Sequence, residues 1–220
     1  AAANRLELAV EIDPDFAEGL YELGLLAARR GEDARAEELL RRSIASQAAL
    51  ADAHYELGRL LAARDDLDAA AASFRSAIEH RPDLAKAHRD LGAVVATRGD
   101  GESALASLRE AMRLDPESAR THMLMGVVAR VRNDLTAAKQ HLELATVLRP
   151  DLARAHAELG EVALRENDLR AAAQHFRRAA SLAPENVALR SKLKQLQAAE
   201  SPTLAPSEPT PKPLEDQGLR

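Results

Sequence analysis

The sequence has no cysteine and no tryptophan, and only three Phe and two Tyr among its 220 residues. Without thiols there is no disulfide, no thiolate metal site and no cysteine nucleophile. A core with so few aromatic rings must draw on alanine and leucine, which favours closely packed helices over a bulky sandwich or barrel. A basic excess is missing too. Thirty Lys and Arg against 35 Asp and Glu leave a formal net charge of −5, where a nucleic-acid surface needs a basic excess. No apolar run approaches the roughly 20 residues that cross a bilayer, so membrane insertion is not expected. The chain opens Ala1-Ala2-Ala3-Asn4, with neither a Met nor a signal-peptide pattern. That opening reads as an excised fragment or a form trimmed after a small-residue site, soluble and either cytoplasmic or exported.

What is present is a period. Gly24, Gly58, Gly92, Gly126 and Gly160 lie 34 residues apart. Ala36, Ala70, Ala104, Ala138 and Ala172 keep the same interval, and four positions after each stands a large apolar residue: Leu40, Phe74, Leu108, Leu142 and Phe176. Pro14, Pro82, Pro116, Pro150 and Pro184 close the units, with Ala48 where one proline is absent. Four columns in one register establish a structural repeat. Within a unit the apolar residues follow helical spacing on either side of a short polar break such as Arg30-Gly31-Glu32-Asp33 or Arg132-Asn133-Asp134. Gly and Asn there can supply the positive φ that closes a helix. Each unit is therefore predicted to be helix, tight turn, helix. The Pro-Asp or Pro-Glu pair is predicted to form the first helical turn of the next unit. The glycine and alanine columns allow the paired helices to approach closely, with the large residue filling the space beside them.

This pattern resembles the tetratricopeptide repeat, whose signature reads W-x2-L-G-x2-Y, then A-x3-F, then P. It is present as His54-x2-Leu57-Gly58-x2-Leu61, Ala70-x3-Phe74 and Pro82. The resemblance implies an all-α fold, a right-handed α-solenoid of stacked helix-turn-helix repeats. Five units cover 17–50, 51–84, 85–118, 119–152 and 153–186. Residues 1–16 match only the second helix of a unit. Residues 187–200 match only the first, as a capping or half-repeat helix with Lys194 in the glycine column. Residues 201–220 hold five of the ten prolines and read as an extended tail or linker. The signature Trp is replaced by Leu20 or His, and the Tyr by Ala27, Leu61, Val95, Ala129 or Ala163, which trims core volume without shifting the register.

The resemblance also implies a non-catalytic scaffold that binds protein or peptide and carries no cofactor. No nucleophile elbow, phosphate loop, zinc-protease or dinucleotide motif is present. His54, His88, His122 and His156 form a column, but equivalent positions of stacked helices lie about 8–10 Å apart. Ligands of one zinc ion sit about 2 Å from it, so the column is read as a stand-in for the signature Trp and no metal site is expected.

In this family the first helix of each unit lines the concave surface. The candidate binding residues are then Glu18, Tyr21 and Glu22 in the first unit and Asp52, Tyr55, Glu56 and Arg59 in the second. Lys86 and Arg89 follow from the third, Arg120, Met123, Leu124 and Val127 from the fourth, and Arg154 from the fifth. The groove is thus acidic with two tyrosines at one end and basic with an apolar patch further along. Of the Lys/Asn/Arg set that clamps a terminal carboxylate in some family members, only Arg89 and Arg154 fit. The asparagine ladder of others reads Glu22, Glu56, Asp90, Leu124, Glu158 here, so neither mode carries over.

Two alternatives accompany the groove reading. The terminal half-units could complete one another between copies of the chain, through Leu6 and Val10 on one side and Leu189, Leu193 and Leu196 on the other. That contact does not close and would build a filament or tube. The segment could instead be the recognition arm of a larger enzyme.

Overall fold

A computed structural model describes residues 2–200, and the Pro-rich tail read at 201–220 lies outside them. The described residues form twelve α-helices and no strand. They are α1 (Ala2–Ile12), α2 (Ala17–Arg29), α3 (Asp33–Ser46), α4 (Ala51–Ala63), α5 (Leu67–His80) and α6 (Ala85–Thr97). There follow α7 (Gly101–Leu114), α8 (Ala119–Val131), α9 (Leu135–Leu148), α10 (Ala153–Arg165), α11 (Leu169–Leu182) and α12 (Val187–Glu200). Each helix packs on its neighbours in the chain, and α2, α4, α6, α8 and α10 also touch one another in succession. Closer spacing of the even-numbered helices puts them on the inside of the curve, so the stack is an α-solenoid with a concave face of first helices.

Local chemistry accounts for the joints. Inside each unit the turn passes through one residue of positive φ: Gly31 at 74°, Asp65 at 62°, Gly99 at 87°, Asn133 at 63° and Asn167 at 60°. Gly and Asn adopt this region readily, and Asp65 is the least suited of the five. One residue after it, Asp66, Asp100, Asp134 and Asp168 cap α5, α7, α9 and α11 by accepting from the backbone N–H three positions on, at 2.9–3.3 Å. Glu32 takes that place before α3 without such a bond.

Between units the structure departs from expectation. Pro82-Asp83 and its equivalents lie in the connecting turn, not in the first turn of the next helix, which starts at Ala85. The residue before proline avoids helical geometry. Arg81 (φ −142°, ψ 87°), Asp115 (−139°, 84°) and Arg149 (−141°, 91°) are accordingly extended, and three more residues are needed before the chain can coil again.

Packing explains the columns. A Cβ on Gly58 would stand 2.8 Å from Phe74 Cδ1, and one on Gly126 would stand 2.5 Å from Leu142 Cγ. The large residue therefore lies directly over the glycine rather than beside it. The column alanines Ala36, Ala70, Ala104, Ala138 and Ala172 are fully buried. The histidine column does more than fill space. His54, His88, His122 and His156 each donate an Nε2–H to the carbonyl of the preceding inter-unit turn, at Ala48, Pro82, Pro116 and Pro150, over 2.9–3.2 Å. Three of the rings stack on His80, His141 and His175 of the second helices, with centroids 5.5, 5.4 and 6.4 Å apart.

The end helices pack onto the neighbouring repeats of their own chain. Leu189, Leu193 and Leu196 pack back onto Ala163, Ala172 and Phe176, and Leu6 and Val10 pack onto the cluster of Leu20, Leu23 and Leu39. Of these five side chains Leu196 is buried and the other four are half-buried within their own chain. The onward side of α12 carries exposed Arg190 and Lys194 in the histidine and glycine columns. Lys194 thus stands where the other first helices carry the glycine of close approach, and the onward side of α12 is charged.

Candidate functional site

The concave face is organised by one charge column at the start of each first helix: Glu18, Asp52, Lys86, Arg120 and Arg154. Its middle is neutralised internally. Asp52 accepts from Arg81 at 2.5 Å and from Lys86 at 3.4 Å. Burial pushes the Asp52 carboxyl up, but Arg81 and Lys86 outweigh it and hold the carboxyl below its ordinary value. Lys86 Nζ also lies 4.1 Å from the centroid of the Tyr55 ring. Arg89 is paired with Asp90 at 2.8 Å and Arg59 with Glu56 at 2.7 Å.

The ends of the column are open. Among the described residues Glu18, Glu22 and Arg120 are exposed and make no ion pair. Arg154 reaches only within 3.9 Å of Glu158, a carboxylate already held by Arg130 at 2.8 Å, and its side chain is 62% exposed. Tyr21 is half-buried, and burial together with the Asp52, Glu56 and Glu22 carboxylates pushes its hydroxyl up to about 12.

Two residues expected in the groove are not available to a ligand. Tyr55 is 5% exposed, and its hydroxyl donates to Asp90 Oδ2 at 2.8 Å. Burial, then the Asp90 charge, raises its pKa. Met123 is likewise buried, in the cluster around Leu142 and Leu159. Their shared column forms the seam between successive first helices, so a large side chain there packs on the next repeat. The signal was in the sequence at an interval of 35, one more than the period, which pairs Tyr55 with Asp90 across the seam.

Leu124 and Val127 remain half-buried and line a cavity of about 240 Å³ between α6 and α8. Ala93, Ala96 and Thr97 form its α6 wall, Val131 continues the α8 wall, and Arg154 and Arg132 border it. Val131 is 68% exposed. Val131 and Thr97 are groove positions of their first helices, and Arg120, Leu124, Val127 and Val131 recur at helical spacing along one stripe of α8. No three His, Asp or Glu side chains converge as a metal site among the described residues.

The model of the tetratricopeptide repeat family matches overlapping segments at residues 35–85, 49–119, 83–152 and 123–187. The chain belongs to the tetratricopeptide-repeat family. No curated protein sequence matches it. Solved structures share its fold. YrrB, described as a tetratricopeptide-repeat protein with an unusual peptide-binding site, superposes with a TM-score of 0.69 at 19% identity over 88% of this chain and 99% of its own. MamA from Desulfovibrio magneticus RS-1 gives 0.67 at 24% identity, over 78% of this chain and 97% of its own. The Cut9–Hcn1 hetero-tetramer of the APC/C gives 0.79 at 18% identity, over 90% of this chain and 40% of the matched chain. At these identities the likeness concerns the fold of this tetratricopeptide-repeat chain.

Proposed function

We propose that this tetratricopeptide-repeat chain is a non-catalytic scaffold that holds a polypeptide segment along its concave face. The observation that carries the reading is the cavity between α6 and α8, where Leu124, Val127 and Val131 leave apolar surface uncovered beside the core and an arginine without a firm partner borders it. Magnitudes divide the labour. Burying one leucine-sized side chain contributes about 1.5–3 kcal/mol, whereas an exposed ion pair contributes about 0.2–1 kcal/mol. The cavity therefore supplies affinity, and Arg154 and Arg120 supply orientation. A bound segment would carry an apolar residue next to one or two carboxylates. The opposite end, at Glu18 and Glu22, favours a basic residue. Joining chains head to tail through the terminal half-repeats draws no support from α12, whose onward face is charged.

The test is a set of labelled 12-residue peptides on a Ser/Gly background. Each holds one Leu followed by two Glu, two Lys or two Ser, and binding is read by fluorescence anisotropy. The Leu-Glu-Glu peptide is expected to bind most tightly, and Arg154→Glu to weaken it about tenfold while favouring the Leu-Lys-Lys peptide. Equal binding of all three, or indifference to Arg154→Glu, would remove the groove from consideration.

A further inference from the structure

The cavity has a candidate occupant within the same chain. Residues 201–220 lie outside the described part, and their sequence carries one apolar residue followed at once by two carboxylates: Leu214-Glu215-Asp216. We propose that this segment of the chain's own tail occupies the cavity between α6 and α8, with Leu214 against Leu124, Val127 and Val131 and the two carboxylates toward Arg154 and Arg120. The inference rests on the groove reading above.

Three features support it. The first is chemical complementarity. The stripe on α8 runs from Arg120 through Leu124 and Val127 to Val131, so its positive end and its apolar end are separated along the helix. From Arg120 to Val127 the helix rises about 10 Å. Two extended residues span about 7 Å, which an arginine side chain completes.

The second is direction. Glu200, the last residue of α12, corresponds by two and three periods of 34 to Arg132 and Arg98, at the ends of α8 and α6. The tail therefore leaves the stack at the edge where Val131 and Arg132 stand. A segment arriving from that edge passes Arg132, which Glu102 already holds, then meets the apolar end of the stripe and reaches Arg154 and Arg120 afterwards, which is the order Leu214, Glu215, Asp216.

The third is reach. From α12 back to α8 is two steps between first helices, each about 8–10 Å. The 14 residues from 201 to 214 cover about 43 Å in the extended form that their prolines favour. The segment therefore arrives without strain, and a tether of this length holds it at an effective concentration in the millimolar range. The groove would then be self-occupied, and an external segment would have to displace the tail.

The experiment uses the full chain and a labelled peptide of residues 209–219. In one protein the tail is unchanged. In the other it carries Leu214→Ser, Glu215→Lys and Asp216→Lys. The peptide is expected to bind the substituted protein about tenfold more tightly, because the competing tail is gone, and Arg154→Glu added to that protein is expected to abolish the gain. Equal affinity for both proteins overturns the proposal. So does light scattering in which the unchanged chain grows in mass with concentration and the substituted chain does not, because the tail would then serve a second copy. If the Leu-Glu-Glu peptide binds the substituted protein and the tail peptide does not, self-occupancy fails and the groove reading stands. If neither binds, the groove reading fails with it.

Discussion

A glycine inside a helix costs about 1 kcal/mol relative to alanine, and this chain places one in the middle of every first helix from α2 to α10. The cost is offset by contact, since Leu40, Phe74, Leu108, Leu142 and Phe176 lie where a Cβ would be. Gly126→Ala is the sharpest test. Its new methyl would meet Leu142 Cγ at 2.5 Å and the Ala138 carbonyl oxygen at 3.0 Å, and the second of these is backbone that cannot turn aside. Overpacking of this kind costs about 1–3 kcal/mol, enough to cancel the gain in propensity. Gly101, at the start of α7, has nothing nearer than Arg132 Cδ at 3.9 Å. Urea denaturation is expected to rank Gly126→Ala below the parent and Gly101→Ala level with it or above. The opposite order would mean that the column glycines are not there for close approach.

At the scale of the helix, the second to fifth units are fastened by side chains that reach back to their own connections. Aspartates close the inner turn, and histidines bind the outer one. The histidine pairs make this fastening sensitive to pH. His122 donates Nε2–H to Pro116 and so presents a bare Nδ1, which lies 3.2 Å from His141 Nδ1. Burial, then the proximity of His122, lowers the pKa of His141, and Arg109 and Arg132 line the same hollow together with Asp134. His175 is lowered by burial and by His156, with Lys139 acting in the same direction and Glu143 and Asp168 opposing. A folded-state pKa below the unfolded value near 6.5 means that the unfolded chain binds protons first. Stability is then complete above about pH 6.5 and is lost as the pH falls through the depressed folded values. Urea midpoints between pH 7.5 and 5 should decline, and His141→Gln with His175→Gln should flatten the decline. An unaltered slope would assign it to other groups.

The helices and their register were legible in the sequence because the period repeats the same steric demand five times. The joints were less so, because a Pro-Asp pair suits both a first helical turn and the turn before it. Only the extended geometry of Arg81 and its equivalents decides between them. Tyr55 and Met123 were misread as groove residues for a related reason. A period of 34 describes one unit, while their burial depends on the neighbouring one.

For the molecule as a whole, repeats that touch only their neighbours make stability a sum of local terms, and the end helices matter for what they cover. α12 covers Phe176 and Ala172 with Leu189, Leu193 and Leu196. Leu196→Ala is therefore expected to lower the unfolding free energy by about 2 kcal/mol. Lys194→Ala should change it by less than about 0.5 kcal/mol, and neither should alter the mass measured by light scattering. A change of mass without a loss of stability would return α12 to the role of a joint.

The neutral middle of the charge column has a further consequence. Asp52, Lys86, Tyr55 and Asp90 are committed to one another, so a chain lying across them finds no unpaired charge there to read. Under the proposed function, recognition would fall to Glu18 and Glu22 at one limit and to Arg120 and Arg154 at the other, three to four repeats away. At about 8–10 Å per repeat that interval is about 25–40 Å, or roughly 8–12 residues of extended chain. A groove that binds as proposed would work as a gauge, sensitive to the spacing between a basic and an acidic residue and tolerant of the sequence that connects them.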